Sequence, residues 1–444
     1  MSLINKKIEI LLEYLAYGGD AVGRYQGRAV FVPYGLPEER AVVRVVAEHK
    51  SYLRAEMAEI ISPSPLRMAP LCQHFGRCGG CQWQMMEYSR QVAYKKKILE
   101  ETLLRLGGIT CSEIETVPHS TGWRYRNKAQ FPIIRAGLGK EIGYFARGSH
   151  RLERLSSCPI LEVPLGKMAE AVIPIVESSS VTGYDEVRHG GQLRHLLLRF
   201  VRSSRQALLT LVTKDCQEIP LPLISMLAAI PGLAGIHQNI NPYRGNTILG
   251  QRWRRLWGEA HLWEEMGGVK LRLSPGSFLQ VNIEVAEKAY GLLPSALELR
   301  GDEEVLDVYS GIGAIALSLS PFVGRVAAVE EVPSAVEDAR ASARSQGMEN
   351  CRFIQGRAGE VLDAWERAEV VVLDPPRKGV EEEAMAALGK LQPEKIAYLS
   401  CNPATLARDL KRLLSMGYYL QRMWMMDMFP QTYHIEALAI LRRK

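Results

Sequence analysis

The sequence has no apolar run of about eighteen residues, the length a membrane-spanning helix needs. It has no leader-like pattern at Met1–Ile10 either, where lysines and an acid interrupt the apolar residues. A helical membrane anchor is therefore not expected, and the cytoplasm is the expected compartment. Cysteine is scarce, with eight in 444 residues, too few for a disulfide framework. No internal repeat and no low-complexity tract is present, so a stacked-repeat architecture is excluded. Charge of one sign is lacking too: 55 Lys and Arg against 49 Asp and Glu leave +6, a mild excess that permits a nucleic-acid partner without demanding one. What remains is ordinary globular composition, 47% apolar and 23% charged, in a chain too long for one core and suited to two to four domains.

Three of the eight cysteines nevertheless cluster, as Cys72, Cys78 and Cys81, with Gly79 and Gly80 between the last two. In a reducing compartment such clusters point to metal or iron–sulfur ligation rather than disulfides. The glycines let the backbone approach an inorganic centre and aim amides at its sulfurs. Four thiolates require one more cysteine. Cys158, followed at once by Pro159, is the strongest candidate, ahead of Cys111, which lies past an apparent helix. Zinc is the rival, but structural zinc sites pair two short-spaced couples and only one couple here is short. The three-residue and two-residue gaps of a radical SAM cluster are missing as well. Iron–sulfur is preferred.

Lys6 to Ile61 reads as short strands parted by Gly18-Gly19, Gly27, Pro33 and Gly35-Leu36-Pro37. This predicts a small closed barrel, of a kind that presents a face to RNA or simply stabilises its chain. Ser62-Pro63-Ser64-Pro65 is a stiff break. Ile98, Leu103 and Leu106 stand at helical spacing in an amphipathic helix over Tyr88–Leu106. From Pro118 to Cys158 the chain turns strand-like and basic. Arg124, Arg126, Lys128, Arg135 and Lys140 interleave there with Trp123, Tyr125, Phe131, Tyr144 and Phe145. Basic groups contact phosphates and rings stack on unpaired bases, so the stretch suits RNA; a solvated hairpin turning at Ala136–Gly139 is the plain alternative. A second hairpin is predicted for Leu196–Val201 and Ala207–Val212. Arg252–Trp257 is either a nucleic-acid contact or an ordinary edge strand.

From about Gly267 strands and helices alternate. Val305–Tyr309 is followed by Ser310-Gly311-Ile312-Gly313, and Arg325–Val329 ends at Glu330. Val370–Leu373 ends in Asp374-Pro375-Pro376-Arg377, and Ile396–Leu399 in Ser400-Cys401-Asn402-Pro403. This is a doubly wound α/β sheet, whose ligands sit at the carboxyl ends of the strands. The third glycine of a dinucleotide fingerprint is missing and no Walker pattern exists. A nucleoside without pyrophosphate, S-adenosyl-L-methionine, therefore fits best, with Glu330 placed for its ribose hydroxyls. Asp374 is a carboxylate on a rigid strand end, or merely part of a strand stop. Cys401 stands near a helix N-terminus, which favours the thiolate, although a lone strand-end cysteine is more often inert. Tyr418–Met428 and Ala437–Leu441 are strands joined by too short a link for a parallel crossover, so they must be antiparallel. That puts Glu436 on the rim that carries Cys401, Asp374 and Glu330.

With these residues in view, the chain resembles the RNA uracil-5-methyltransferase family, in particular the members that methylate 23S ribosomal RNA. The motifs that carry the resemblance are Ser274-Pro275-Gly276-Ser277-Phe278-Leu279-Gln280-Val281-Asn282, Asp374-Pro375-Pro376-Arg377, Ser400-Cys401-Asn402-Pro403 and His434-Ile435-Glu436. Where members commonly have Cys-Gly after the first strand, this chain has Ser310-Gly311. The resemblance covers essentially the whole length and implies an α/β architecture in three parts. These are a TRAM-like, OB-like β-barrel that binds RNA (1–62), a central α+β RNA-binding domain (63–85 and 118–265) and a Rossmann-like methyltransferase domain (86–117 and 266–444). It implies a 4Fe–4S cluster on Cys72, Cys78, Cys81 and Cys158, and an S-adenosyl-L-methionine site lined by Gln280, Tyr309, Glu330 and Asp374. It implies 23S rRNA as substrate, no membrane and a monomer.

The chemistry can be argued from uracil itself. Carbon 5 is too weak a nucleophile to take a methyl group unaided, but a thiolate adding to carbon 6 makes the ring an enolate. A base must then remove the carbon 5 proton so that the thiolate can leave. Cys401 is the expected nucleophile and Glu436 the expected base, acting on a uridine flipped out of an RNA loop. The nearest rival is the same reaction on tRNA. A small-molecule or protein methyltransferase, disfavoured by the pairing of Cys401 with Glu436, and a catalytically inactive iron–sulfur RNA-binding protein are the others.

Overall fold

The structure, a computed structural model, describes residues 2–137 and 139–444. At the N-terminal end β1 (Lys7–Leu15), β2 (Ala21–Tyr25), β3 (Arg28–Val32), β4 (Arg40–Glu48) and β5 (Tyr52–Ser62) close into a barrel in the order β1-β2-β3-β5-β4. Strict alternation drives the closure: Ile8, Ile10 and Leu12 turn inward while Lys7, Glu9 and Leu11 stay outside. A bulge between Leu12 and Tyr14 shifts the phase and returns Leu15 to the interior. Glu39, fully buried, accepts the Leu36 amide at 2.9 Å and pairs with Arg67, which ties the barrel to the cysteine segment. The expected barrel is present.

The amphipathic helix α1 (Tyr88–Thr102) is shorter than its leucine spacing suggests. Its last turn, Leu103–Gly107, widens to π geometry and is ended by Gly108 at φ 67°. After it β6 (Glu115–Val117) precedes a central region of β7 (Lys128–Ala136), β8 (Gly139–Ile142), β9 (Tyr144–Phe145), β10 (Leu152–Glu153), α2 (Val163–Ser178), β11 (Leu193–Val201), β12 (Gln206–Thr213), α3 (Leu221–Ala228), β13 (Leu233–Ile240) and β14 (Arg252–Gly258). Six of these strands form one sheet in the order β14-β13-β12-β11-β7-β8. Leu165, Val172 and Leu227 of α2 and α3 pack on one face against Phe131, Leu196, Leu198 and Leu209. Both predicted hairpins exist. One registers Val201 with Gln206 and the other Ala136 with Gly139; Leu138 lies outside the described residues. The Arg252–Trp257 stretch falls on β14, an edge strand exposed along most of its length.

The third part contains the hairpin β15 (Leu262–Met266) and β16 (Val269–Leu273), then α4 (Ile283–Ala296), β17 (Glu304–Val308), α5 (Ala314–Leu319), β18 (Arg325–Glu330), α6 (Pro333–Ser345), β19 (Cys351–Gln355), α7 (Ala358–Asp363), β20 (Val370–Leu373), α8 (Glu382–Leu391), β21 (Lys395–Ser400), α9 (Pro403–Ser415), β22 (Tyr418–Met426) and β23 (Glu436–Arg443). Its eight-stranded sheet runs β19-β18-β17-β20-β21-β23-β22-β6. β20 and β21 are buried at every residue, as parallel strands covered on both faces must be. β23 alone runs against its neighbours, pairing antiparallel with both β21 and β22. The short β6 pairs in parallel with β22, Thr116 opposite Met425. This doubly wound sheet, the barrel and the central α+β layer give the expected α/β architecture. Among the described residues no helix is long and apolar enough to cross a membrane.

Candidate active site

The register of β21 with β23 sets the site. Ser400 stands opposite Ala437, so Cys401 and Glu436 flank the same rung. On the other side of β21, β20 stops before Asp374; beyond it β17 stops before Tyr309 and β18 ends on Glu330. These strand ends open into one cavity of about 510 Å³, and Gln280, Tyr309, Glu330, Asp374, Cys401 and Glu436 all line it. Every residue expected from the sequence to bind the methyl donor or to react is thus brought together. Phe278, Gly311, Arg377 and Phe429 line the same space; Phe278 and Arg377 lie in motifs quoted above, but nothing in their spacing, or in that of Phe429, gave them a role.

At the β17–β18 end the backbone is bent for a ligand. Tyr309 has φ 67°, costly for a side chain of its size and typical of functional sites. Gly311 has φ 56°, and a Cβ there would meet nothing within 4 Å, so the backbone faces open space. Its amide donates to Glu330 Oε2 at 2.9 Å, while the Val332 amide donates to Oε1 at 2.8 Å. Each oxygen keeps a second lone pair for a hydroxyl. The loop Ser274–Gln280 is held from behind by Asp338, a fully buried carboxylate. It accepts from Arg272 Nε at 2.6 Å, from the Ser274 amide at 3.0 Å and hydroxyl at 2.8 Å, and from the Ser277 hydroxyl.

At the other end, the turn after β21 is tied to the turn after β20. Asn402 caps α9 by accepting the Ala404 amide at 3.1 Å, and its Nδ2 donates to the Arg377 carbonyl at 3.1 Å. Burial pushes the Cys401 thiol up to about 12, with the Glu436 and Asp374 charges adding to it and Arg377 opposing them. Burial, then Asp374, holds Glu436 well above the usual carboxylate range against Arg377 and Lys95. Asp374 is pushed up to about 7 by burial, and Asp307 behind it to about 8 by burial and Asp374. Carboxylates crowded in a dry cavity favour a cationic ligand such as a sulfonium. If the Cys401 thiolate is the attacking form, kcat/KM should rise with pH through the neutral range. Arg377 lowers the thiol pKa, so Arg377→Met should move that rise to higher pH. A shift of one unit costs about tenfold in thiolate. A pH profile of single-turnover methylation checks it, and an unmoved limb would remove Arg377 from the argument.

The link that carries Glu436 is braced from far away in the chain. Lys95 of α1, fully buried, donates from Nζ to Asp427 Oδ1 at 2.6 Å and to the Phe429 carbonyl at 3.0 Å. Gln91, one turn earlier, donates to Gln431 Oε1 and accepts the Gln431 amide, both at 2.9 Å. Gln82 and Trp83 of the cysteine segment donate their amides to the Gln431 carbonyl at 3.0 and 3.1 Å. Lys95→Met should leave Asp427 charged and buried without its partner, a loss of about 3–5 kcal/mol. A lowered urea midpoint reads it directly. The sequence offered no signal for this brace, because Lys95 opens a run of three lysines that looks solvated. Tyr17, on the β1–β2 turn of the barrel, was missed likewise. Its ring meets Tyr433 edge-on at 5.9 Å, and burial pushes its hydroxyl up to about 12, with Arg377, Cys401 and Glu436 among the charges that act on it.

A second cavity, about 220 Å³, is lined by Cys72, Cys78, Cys81 and Cys158, with Arg126 and Tyr144. Cys111 packs elsewhere, against the core beside α9. Burial pushes the Cys81 thiol up to about 12 and Cys158 to about 11, so this site keeps thiols neutral unless a cation takes their charge. Among the described residues no group of three or more His, Cys, Asp or Glu is arranged around a single ion. The Gly80 amide donates to Cys78 Sγ at 3.4 Å, as amides do to the sulfurs of an iron–sulfur centre. The donor set fits such a group. Cys81 and Cys158 share a small apolar core with Val281 and Phe429, which joins this cavity to the first.

Comparison with known proteins gives the family. The tRNA (Uracil-5-)-methyltransferase family matches residues 267–444 and the TRAM domain matches residues 2–58. An uncharacterized RNA methyltransferase of Halalkalibacterium halodurans is 38% identical, over 99% of this chain and 98% of its own. The chain belongs to the uracil-5 RNA methyltransferases. Another uncharacterized RNA methyltransferase, from Nostoc sp., is 37% identical over 98% of this chain and 96% of its own. Among solved structures, the tRNA (uracil-54, C5)-methyltransferase of Pyrococcus abyssi in complex with S-adenosyl-L-homocysteine has a TM-score of 0.80 and 25% identity, covering 98% of this chain and 99% of that one. This uracil-5 RNA methyltransferase is accordingly an S-adenosyl-L-methionine-dependent enzyme with an N-terminal TRAM barrel.

Proposed function

We propose that the protein methylates carbon 5 of a uridine in 23S ribosomal RNA, with Cys401 as nucleophile and Glu436 as base. The observation that carries the chemistry is the shared rung: thiol and carboxylate flank one pair of hydrogen-bonded strands at the mouth of the donor cavity. Cys401 thiolate adds to carbon 6 of the flipped uracil, moving the ring electron pair to carbon 5. S-adenosyl-L-methionine, held by Gln280, Tyr309, Glu330 and Asp374, supplies an electrophilic methyl group. Glu436 then takes the carbon 5 proton, the ring double bond re-forms, and Cys401 leaves as thiolate. The products are 5-methyluridine, S-adenosyl-L-homocysteine and a proton.

The choice of ribosomal RNA rests on the resemblance to members that combine a barrel with a four-cysteine cluster. Transfer RNA is the second reading, favoured by the full-length likeness to the Pyrococcus abyssi enzyme. Methyl transfer from labelled donor to total rRNA and to tRNA, followed by mapping of the modified base, separates the two. Label in tRNA alone would overturn the first. A 4Fe–4S cluster on Cys72, Cys78, Cys81 and Cys158 would brace the central region without entering the reaction. A brown preparation with broad visible absorbance and about four irons per chain is expected, whereas a colourless, zinc-bearing one would refute the cluster. The three domains are proposed with the boundaries 1–62, 63–85 with 118–265, and 86–117 with 266–444, in a monomer working in the cytoplasm.

A further inference from the structure

The face of the central sheet opposite α2 and α3 carries cations that the reaction does not use. Lys128 on β7 and Arg199 on β11 stand directly opposite each other in the antiparallel ladder. Like charges so placed destabilise a sheet. Arg126 lies two residues before Lys128, and its Nε donates to the Lys128 carbonyl at 3.4 Å. No carboxylate is among the charges that act on Lys128, which feels only Arg199 and Arg126; the one acid acting on Arg199 is Glu264. That carboxylate is itself taken by the Arg202 and Ser203 amides, at 2.9 and 3.2 Å.

Arg199 is 3% exposed, yet only Nη2 has a partner, the Ser277 carbonyl at 2.9 Å; Nε and Nη1 have none. Buried guanidinium donors are ordinarily satisfied. Burial and the two arginines pull Lys128 down to about 7, as expected of an ammonium without a counter-charge. The cluster also adjoins the active site. Arg199 holds the loop Ser274–Gln280 through Ser277, and Asn127, next to Lys128, donates its amide to the Val281 carbonyl at 3.1 Å and Nδ2 to the Gln280 carbonyl at 3.4 Å. Phe278, 64% exposed, and Gln280 line the donor cavity from that loop.

We propose that Lys128 and Arg199, with Arg126, form a binding site for a backbone phosphate of the RNA substrate, close to the nucleotide that enters the active-site cavity. A phosphate satisfies the orphaned guanidinium edge, relieves the repulsion across the β7–β11 ladder and restores the ammonium of Lys128. The inference rests on the reading that RNA is the substrate. It assigns a positioning role: one phosphate contact fixes register on the RNA and carries no base preference.

Lys128 is only partly buried, so Lys128→Gln tests the site without emptying the core. Binding of the RNA fragment that the wild type methylates is measured by fluorescence anisotropy across a salt series. The variant should bind more weakly, by about tenfold at 0.15 M salt, with the slope of log K against log salt reduced by about one. KM for that RNA should rise, and Lys128→Arg should restore both affinity and slope. Wild-type affinity for S-adenosyl-L-methionine in each variant reports an intact fold. An unchanged affinity and slope in Lys128→Gln, alongside a wild type that methylates the same RNA, would overturn the phosphate site and leave the substrate reading intact. Failure of the wild type to bind any RNA would overturn both.

Discussion

Cys401→Ala is expected to abolish methyl transfer, by more than about 10⁴-fold, the scale on which loss of a covalent nucleophile is felt. Without addition at carbon 6, carbon 5 has no electron pair to offer, and no neighbouring group substitutes: Asp374 and Glu436 are carboxylates and Arg377 is a cation. The donor should still bind, because its proposed contacts, Gln280, Tyr309, Glu330 and Asp374, do not include Cys401. Calorimetry with S-adenosyl-L-homocysteine should therefore give wild-type affinity in a protein that transfers nothing. Methylation persisting in this variant would sink the covalent mechanism.

Glu436→Gln should stop the reaction one step later. The amide fills the space of the carboxyl but cannot take a proton, so the methylated ring keeps its hydrogen at carbon 5 and Cys401 cannot be expelled. Turnover should fall by about 10²–10⁴-fold, while a covalent protein–RNA species accumulates and survives denaturing electrophoresis. Its mass should equal protein plus RNA plus one CH2 unit, the transferred methyl group less the thiol hydrogen. The double variant with Cys401→Ala should form none. Normal turnover in Glu436→Gln would transfer the role of base to another carboxylate, Asp374 being the nearest by its effect on Glu436.

The parts of this architecture that sequence reveals are those in which neighbouring residues share a rule. Alternation gives β1 and hence the barrel, and continuous apolar runs ending in Glu330, Asp374 and Cys401 give the parallel sheet and its rim. The shortness of the link after β22 gave the reversed strand and, with it, Glu436 beside Cys401. The parts that stay hidden depend on partners far apart in the chain. Three residues, Glu115–Val117, are too few to announce a strand, and they become one only against Trp424–Met426. Lys95 looks like a solvated lysine until Asp427 is folded over it, and Lys128 reads as one more basic residue until Arg199 is set opposite. The parallel pairing of β12 with β13 across α3 escaped a reading that expected only hairpins there.

The position of β23 inside the sheet also bears on how the enzyme comes into being. β21 and β22 flank it on either side, yet both precede it along the chain. As the protein emerges from a ribosome, β21 has β20 and β22 has β6, but neither strand can gain its second neighbour until residues beyond Glu436 have been made. Until then the edge of β21 lies open, an exposed template for misassociation of the nascent chain. Completion of the ladder sets Glu436 beside Cys401 in the same event. The polypeptide therefore gains its chemistry only when its synthesis has passed Arg443, after the barrel and the basic sheet have had time to form.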